Sequence, residues 1–237
     1  MKFNRMSAVA CIGLPLLMIA ASALAQEAEN SMGNEKFATT PVEKIGEERY
    51  RIGDIVIDRG TSSFSVSGKI LHLGDTLEYL AVSTAGMKEY ESLLELSTLP
   101  GDFNLACILI GLDEEKSVKP RYQFDEREAE GQRVSISLSW ESDGETITVS
   151  GSNAIKVGTN AFEDDSWVYI GSSTGNYGKE FMANAGGTLI GFVHDPYSII
   201  DHKIGAGIGN YGLVTANEDV LPDEGAAITL TVAVVAE

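Results

Sequence analysis

Apolar and polar residues alternate along two stretches, "RYRIGDIVIDRG" (49–60) and "SFSVSGKILHL" (63–73), with the two-residue period of half-buried strands. "TLEYLAVS" and "KEYESLLEL" follow, and the turn around Gly86 between them predicts a hairpin. "PGDFNLACILIGL" departs from that period. Pro100 can open a helix there, Asp102 can cap it, Phe103, Cys107, Ile110 and Leu112 fall roughly on one face, and Gly111 marks the end. Residues 113–131 are charged and lack apolar periodicity, which predicts a surface loop or an insertion. From Gln132 the strand period returns. "RVSISLSW" and "ETITVS" flank the turn "ESDG" as a second hairpin, and "SWVYIGSS", "GTLIGFVH" and "AAITLTVAVVA" read as further strands. The glycines crowded between Gly171 and Gly212 predict turns and bulges there and not helices. The expected fold is α+β: a single β-rich domain over residues 49–237, of mostly antiparallel strands and hairpins, with about one substantial helix near 101–112.

The N-terminus follows a different logic. Lys2 and Arg5 precede the apolar run "SAVACIGLPLLMIA", and Ala23-Leu24-Ala25 forms a small-x-small site before Gln26. This is the layout of a secretory signal peptide cleaved between Ala25 and Gln26, which leaves no stable membrane span and predicts a periplasmic or secreted protein. Residues 26–48 are polar with scattered charge and read as a flexible leader. The net charge of −18 becomes more negative once Lys2 and Arg5 leave with the signal. So acidic a chain is repelled by nucleic acid and by anionic membrane surfaces, and neither is expected as a partner. After Cys11 the only cysteine is Cys107, within "FNLACILIGL". It makes no internal disulfide, its apolar neighbourhood makes it an inert core thiol, and one thiolate supports no iron–sulfur cluster or cysteine-ligated zinc.

Three strings resemble catalytic motifs. Gly171-Ser172-Ser173-Thr174-Gly175 matches G-x-S-x-G after a strand, but a nucleophile elbow needs a helix directly after the serine, and "TGNYGKE" is not one. Gly207 to Gly212 matches G-x-G-x-x-G without the following helix that a dinucleotide site requires. His194-Asp195 and Asp201-His202 could offer imidazoles and carboxylates to a metal, but adjacent strand residues point to opposite faces, so at most one of each pair can turn to one centre. Structural histidines and turn-forming aspartates account for the segment, and the residues call for no metal and no cofactor.

The acids of "KEYESLLEL" pose a sharper question. With a strand period, Glu89, Glu91 and Glu95 share one face; with a helical period, Glu91 and Glu95 stack opposite Tyr90, Leu93 and Leu94. Either period sends Glu91 toward water.

Taken together, "RIGDIVIDR" (51–59), "LEYLAVSTAGMKEYESLL" (77–94), "ACILIGL" (106–112), "SLSWE" (137–141), "SWVYIGSS" (166–173) and "SIID" (198–201) resemble the YdjY-domain family of exported bacterial proteins, in order and with similar separations. The family carries a histidine before the Glu-Ser pair, where this chain has Tyr90, and often Ala-Asp before a glycine turn, where it has Ala183-Asn184. The resemblance implies no reaction but supplies candidate ligand-binding residues: Glu91, Ser92, Trp167, Gly171, Ser172 and Asp201. Gly171 and Asp201 also read as turn residues and Trp167 as core. The expected function is a ligand-binding or interaction module for an unidentified envelope ligand or protein, the alternative being a periplasmic hydrolase using Glu91 or the Ser172/Ser173 loop.

Overall fold

The computed structural model describes residues 37, 40–209 and 212–236, so the expected signal sequence, its expected cleavage site and most of the expected polar leader lie outside the described residues. Strand pairing begins within the stretch read as leader. β1 (Val42–Lys44), β2 (Arg49–Ile52), β3 (Ile55–Asp58) and β4 (Ser63–Ile70) form an antiparallel meander. All three β1 side chains are exposed, so that strand is held by its backbone ladder and carries no apolar signal.

β5 (Tyr79–Ser83) and β6 (Ser92–Leu96) are neighbours, but in parallel, with Tyr79 beside Ser92 and Ala81 beside Leu94. The expected hairpin is therefore absent. The segment between them includes a short 3₁₀ turn, Glu89–Glu91, and carries the chain back to the starting end of β5. Parallel strands are buried on both faces and read as continuous apolar runs, and all five residues of β5 are buried. The unbroken "YLAV" was the mark of that arrangement.

The first helix, α1 (Pro100–Leu109), has proline in its first turn, and Gly111 follows its end with φ of 101°. Asp102 does not cap it. Its two carboxylate oxygens accept from the Thr40 amide at 3.2 Å and the Thr40 hydroxyl at 2.6 Å. Burial runs without a break from Pro100 to Cys107, so the helix is enclosed and does not present a single apolar face. Phe103 meets Phe64 edge-on at 5.1 Å, and Asn104 Oδ1 accepts from the Tyr169 hydroxyl at 2.8 Å. Cys107 is fully buried, and burial pushes its thiol well above the usual range.

β7 (Gln132–Ser142) and β8 (Glu145–Ser150) form the second hairpin as expected, turning on Asp143 and Gly144, both with positive φ. β9 (Ile155–Val157), β10 (Asn160–Ala161) and β16 (Val214–Ala216) make a small separate sheet. β11 (Trp167–Tyr169) is followed by the two-residue pair β12 (Thr174–Gly175) and β13 (Glu180–Phe181), then by the short helix α2 (Met182–Gly186), which the glycine content of this stretch argued against. β14 (Thr188–Gly191), β15 (Ile200–His202) and β17 (Ala227–Val234) complete the chain.

Eight strands close on themselves in the order β4, β17, β7, β11, β15, β14, β5, β6 and back to β4. The result is a β-rich fold built on an eight-stranded barrel, antiparallel except at β14–β15 and β5–β6. Register links these strands in two rows. Ile70, Leu94, Ala81, Ile190, Ile200 and Tyr169 are successive cross-strand partners, and all belong to the main hydrophobic core. A second row, Ser92, Tyr79, Gly191, Asp201 and Val168, lies outside that core.

Candidate functional site

The segment 113–131 packs against this second row, through Ala129 beside Val168 and Gln123 beside Tyr79, and does more than cross the surface. Asp125 within it is fully buried and binds two arginines: it accepts from Arg121 Nε at 2.9 Å and Nη2 at 2.8 Å, and from Arg127 Nε at 3.0 Å and Nη2 at 2.8 Å. Those hydrogen bonds, Arg121's first and then Arg127's, hold the Asp125 carboxyl well below its ordinary range. The segment is tied to the β14–β15 connection. Phe124 N donates to the carbonyls of Val193 and His194, and His194 Nδ1 lies 2.6 Å from the Asp125 carbonyl.

A cavity of about 460 Å³ opens between this segment and the wall. Four parts of the chain reach it: Tyr79 at the start of β5, Lys88 before the 3₁₀ turn, Pro120 to Gln123 from the segment, and Asp195 to Tyr197 from the β14–β15 connection, with Ser173 at one side. The Tyr79 hydroxyl donates to Asp195 Oδ2 at 2.7 Å, and Gln123 Nε2 lies 3.2 Å from that hydroxyl. Burial raises the Asp195 carboxyl, and burial together with the neighbouring Asp195 charge raises the Tyr79 phenol far above its usual range. Two smaller clefts, of about 300 and 320 Å³, flank Leu99, and the only ionisable side chains in their linings are Asp54 and Asp102.

Glu91 does not line the cavity, nor does it face water. It is 8 % exposed, and its carboxylate pairs with Lys88. Strand and helix periods both fail here because Glu91 belongs to neither kind of element: it ends a 3₁₀ turn, where its carbonyl accepts from Glu78 N at 2.9 Å. The Glu78 carboxyl is its acidic neighbour. Burial, and then the Glu91 charge, push the Glu78 carboxyl up to about 7, and its Oε2 accepts from Gln123 Nε2 at 2.7 Å. Lys88 is thereby fixed over the Tyr79 ring, 5.5 Å from its centroid, and 5.9 Å from that of the exposed Tyr90. Burial works against the Lys88 charge, but hydrogen bonding and attraction from Glu91 prevail and raise its pKa.

The other candidates divide in the same way. Ser92 Oγ donates to the Lys88 carbonyl at 2.6 Å. Ser172, buried with φ of 58°, donates to the Tyr197 carbonyl at 2.8 Å and accepts from Ala183 N at 3.1 Å. Asp201 is not a turn residue. It lies fully buried within β15, with Oδ2 accepting from Asp195 N and Oδ1 from His202 N, both at 2.9 Å. Desolvation pushes its carboxyl well above the ordinary range. Gly191 makes room for it, since a Cβ there would come within 2.5 Å of Ser198 Oγ and 3.5 Å of Asp201 Oδ1. Glu91, Ser92, Ser172 and Asp201 thus each hold a residue that lines the cavity. Trp167 does not: it is core, donating from Nε1 to Asp165 Oδ1 at 2.9 Å with its ring edge-on to His202. Gly171 has φ of 71°, and a Cβ there would meet Glu114 Cβ at 2.7 Å, so its role is a close backbone passage.

The remaining motif residues have local partners. Ser173 is followed by β12, and α2 starts only at Met182, so no helix lifts its hydroxyl above a sheet. His194 Nε2 lies 2.9 Å from the His202 carbonyl, so both its ring nitrogens face backbone oxygens. Among the described residues no group of three or more His, Cys, Asp or Glu side chains is placed to hold a metal ion, and no helix is long and apolar enough to cross a membrane.

A buried pair loses more than a wet carboxylate when its charge is removed. Glu91→Gln is expected to lower stability by about 1–2 kcal/mol, less than the 3–5 of a fully buried pair because Lys88 retains some exposure. Glu89→Gln, at a half-buried position without an ion pair among the described residues, should stay within about 0.5 kcal/mol. Parallel urea titrations check this, and equal midpoints would return Glu91 to the wet face.

A barrel with a polar cavity beside its wall, bordered by a long loop, defines the architecture. The chain belongs to the YdjY-domain family, whose model matches residues 55–233. Comparison with curated proteins and with solved structures finds no match.

Proposed function

We propose that this chain is an exported ligand-binding module and that its binding site is the cavity bounded by Tyr79, Lys88, Gln123, Asp195 and Tyr197. One observation carries the reading. Four of the six residues singled out by the family resemblance act one bond behind this cavity, holding Lys88, Asp195 and Tyr197 in place. A wall built only for stability has no need to fix a lysine over a tyrosine ring beside a carboxyl group, whereas binding sites require supported, preorganised polar groups.

The test is ¹⁵N NMR titration of the purified chain with panels of amino acids, monosaccharides, dicarboxylates and aromatic acids. At least one class is expected to shift the backbone amides of Gln123 and Tyr197 saturably. If none moves them, the cavity is not a binding site.

A further inference from the structure

The cavity gathers cations within an acidic chain. The whole protein has a net charge of −18, yet the cations Lys88 and Arg121 line this space and Asp195 is its only acid. Asp195 is already committed, with Oδ2 accepting from the Tyr79 hydroxyl at 2.7 Å and Oδ1 from Tyr197 N at 2.9 Å. Glu91 balances Lys88 from behind. On the other rim, Arg121 and Arg127 share the single carboxylate of Asp125, which leaves one positive charge in excess. Arg121 spends Nε and Nη2 on Asp125 and lies over the Tyr122 ring, 5.2 Å from its centroid, while its Nη1 has no hydrogen-bond partner among the described residues; nor has the Ser173 hydroxyl. The groups still able to bond include two cationic donors, Lys88 and Arg121, and no free carboxylate, beside the Gln123 amide oxygen and the Ser173, Tyr122 and Tyr197 hydroxyls. Such a set selects an anion.

Size and surface narrow the class further. About 460 Å³ is far more than a bare oxyanion fills. The lining contains no Ala, Val, Leu, Ile, Met or Phe side chain; its apolar surface comes from Pro120, Pro196 and the half-exposed rings of Tyr122 and Tyr197. Tyrosine faces ringed by hydrogen-bond donors suit a ring whose faces are apolar and whose edge is hydroxylated, whereas a wholly apolar ring would favour aliphatic walls.

We propose that the cavity recognises an acidic saccharide, a hydroxylated ring bearing a carboxylate, with Lys88 and Arg121 on the carboxylate and Tyr122 and Tyr197 against the ring. This rests on the ligand-binding reading above.

The test is titration of the purified full chain with D-glucuronate and digalacturonate, beside D-glucose, benzoate and inorganic phosphate, followed by calorimetry and by the Gln123 and Tyr197 amides. Digalacturonate is expected to saturate, to bind at least about tenfold more tightly than glucose, and to weaken as salt is added. Arg121→Gln, on the exposed rim, should lower its affinity about tenfold, as should Tyr197→Ala. Lys88→Met should lower it more, and a dispersed NMR spectrum of that variant establishes that it folds. Glucose binding as tightly as glucuronate, or unchanged affinity in folded Arg121→Gln, overturns the acidic-saccharide assignment. Benzoate or phosphate shifting the same amides while both uronates fail also overturns it but leaves the cavity a ligand site. If none of these probes and nothing in the wider panel moves those amides, both readings fall.

Discussion

Raising the pH from about 5 to about 8 is expected to weaken the fold, and replacing Glu78 with glutamine should remove part of that loss. The Glu78 carboxyl has its ordinary value of 4.5 in the unfolded chain and is pushed up to about 7 in the folded one, chiefly by burial and then by Glu91. Between those values the folded chain holds a proton that the unfolded chain has released. The stability so gained is fully present below about 4.5 and is lost as the pH rises through about 7. The amount is on the order of 2 kcal/mol. Asp195 and Asp201 are raised in the same sense, so the parent slope contains their shares as well. The informative quantity is therefore the difference between parent and Glu78→Gln in urea midpoints across this range. Glutamine keeps a neutral hydrogen-bonding head group beside Glu91 and Gln123, so its curve should be flatter. Parallel curves would mean that burial does not raise the Glu78 carboxyl and that Glu78 contributes nothing to the pH dependence.

A second large effect is expected at Asp201. Its carboxyl group is fully buried and accepts from two backbone amides, those of Asp195 and His202. Asp201→Ala leaves both amides without a partner at a site water does not reach, and each orphaned donor costs about 1–3 kcal/mol. The expected loss is about 3 kcal/mol or more, read as a fall in the urea midpoint. Asparagine is not a neutral replacement, because it sets an amide N–H against one of the two donors, and about half the loss should remain. Since Asp201 positions Asp195, the damage should also appear at the cavity, as displaced amide resonances for Asp195 and Tyr197. Wild-type stability in the alanine variant would mean that Asp201 bears no structural load.

The legibility of this protein in its sequence followed the range of the forces involved. The β7–β8 hairpin announces itself through alternation and an Asp-Gly turn, because register and turn are local. Helix α1 is visible from Pro100 and Gly111 for the same reason. The pairing of β5 with β6 was misread because a glycine turn between two apolar runs signals a hairpin regardless of which way the second strand runs. Glu91 was misread because no period applies to a residue in a 3₁₀ turn. At the site, the family resemblance led to the supporting residues Glu91, Ser92, Ser172 and Asp201 but not to the lining. Lys88, Arg121, Gln123 and Tyr197 sit in aperiodic segments, and Tyr79 meets Asp195 across 116 positions of chain. Only tertiary closure brings such residues together. What the sequence did display was polarity without an evident purpose, in "DEEKSVKPRYQFDEREAEG", a segment that proves to be organised around the buried Asp125.

The last strand is also the keystone of the wall. β17 pairs with β4 on one side and β7 on the other, so the barrel draws its closing member from residues 227–234. Until they emerge, a growing chain holds two long strands with unpaired edges facing each other across an empty lane, the arrangement most prone to pairing with a neighbouring molecule. Closure of the barrel thereby waits for residues 227–234. Closure then joins partners such as Thr231 and Ser65, far apart along the chain, which makes for slow assembly. A barrel that takes its closing member from so late a strand stays open along one seam until that strand arrives.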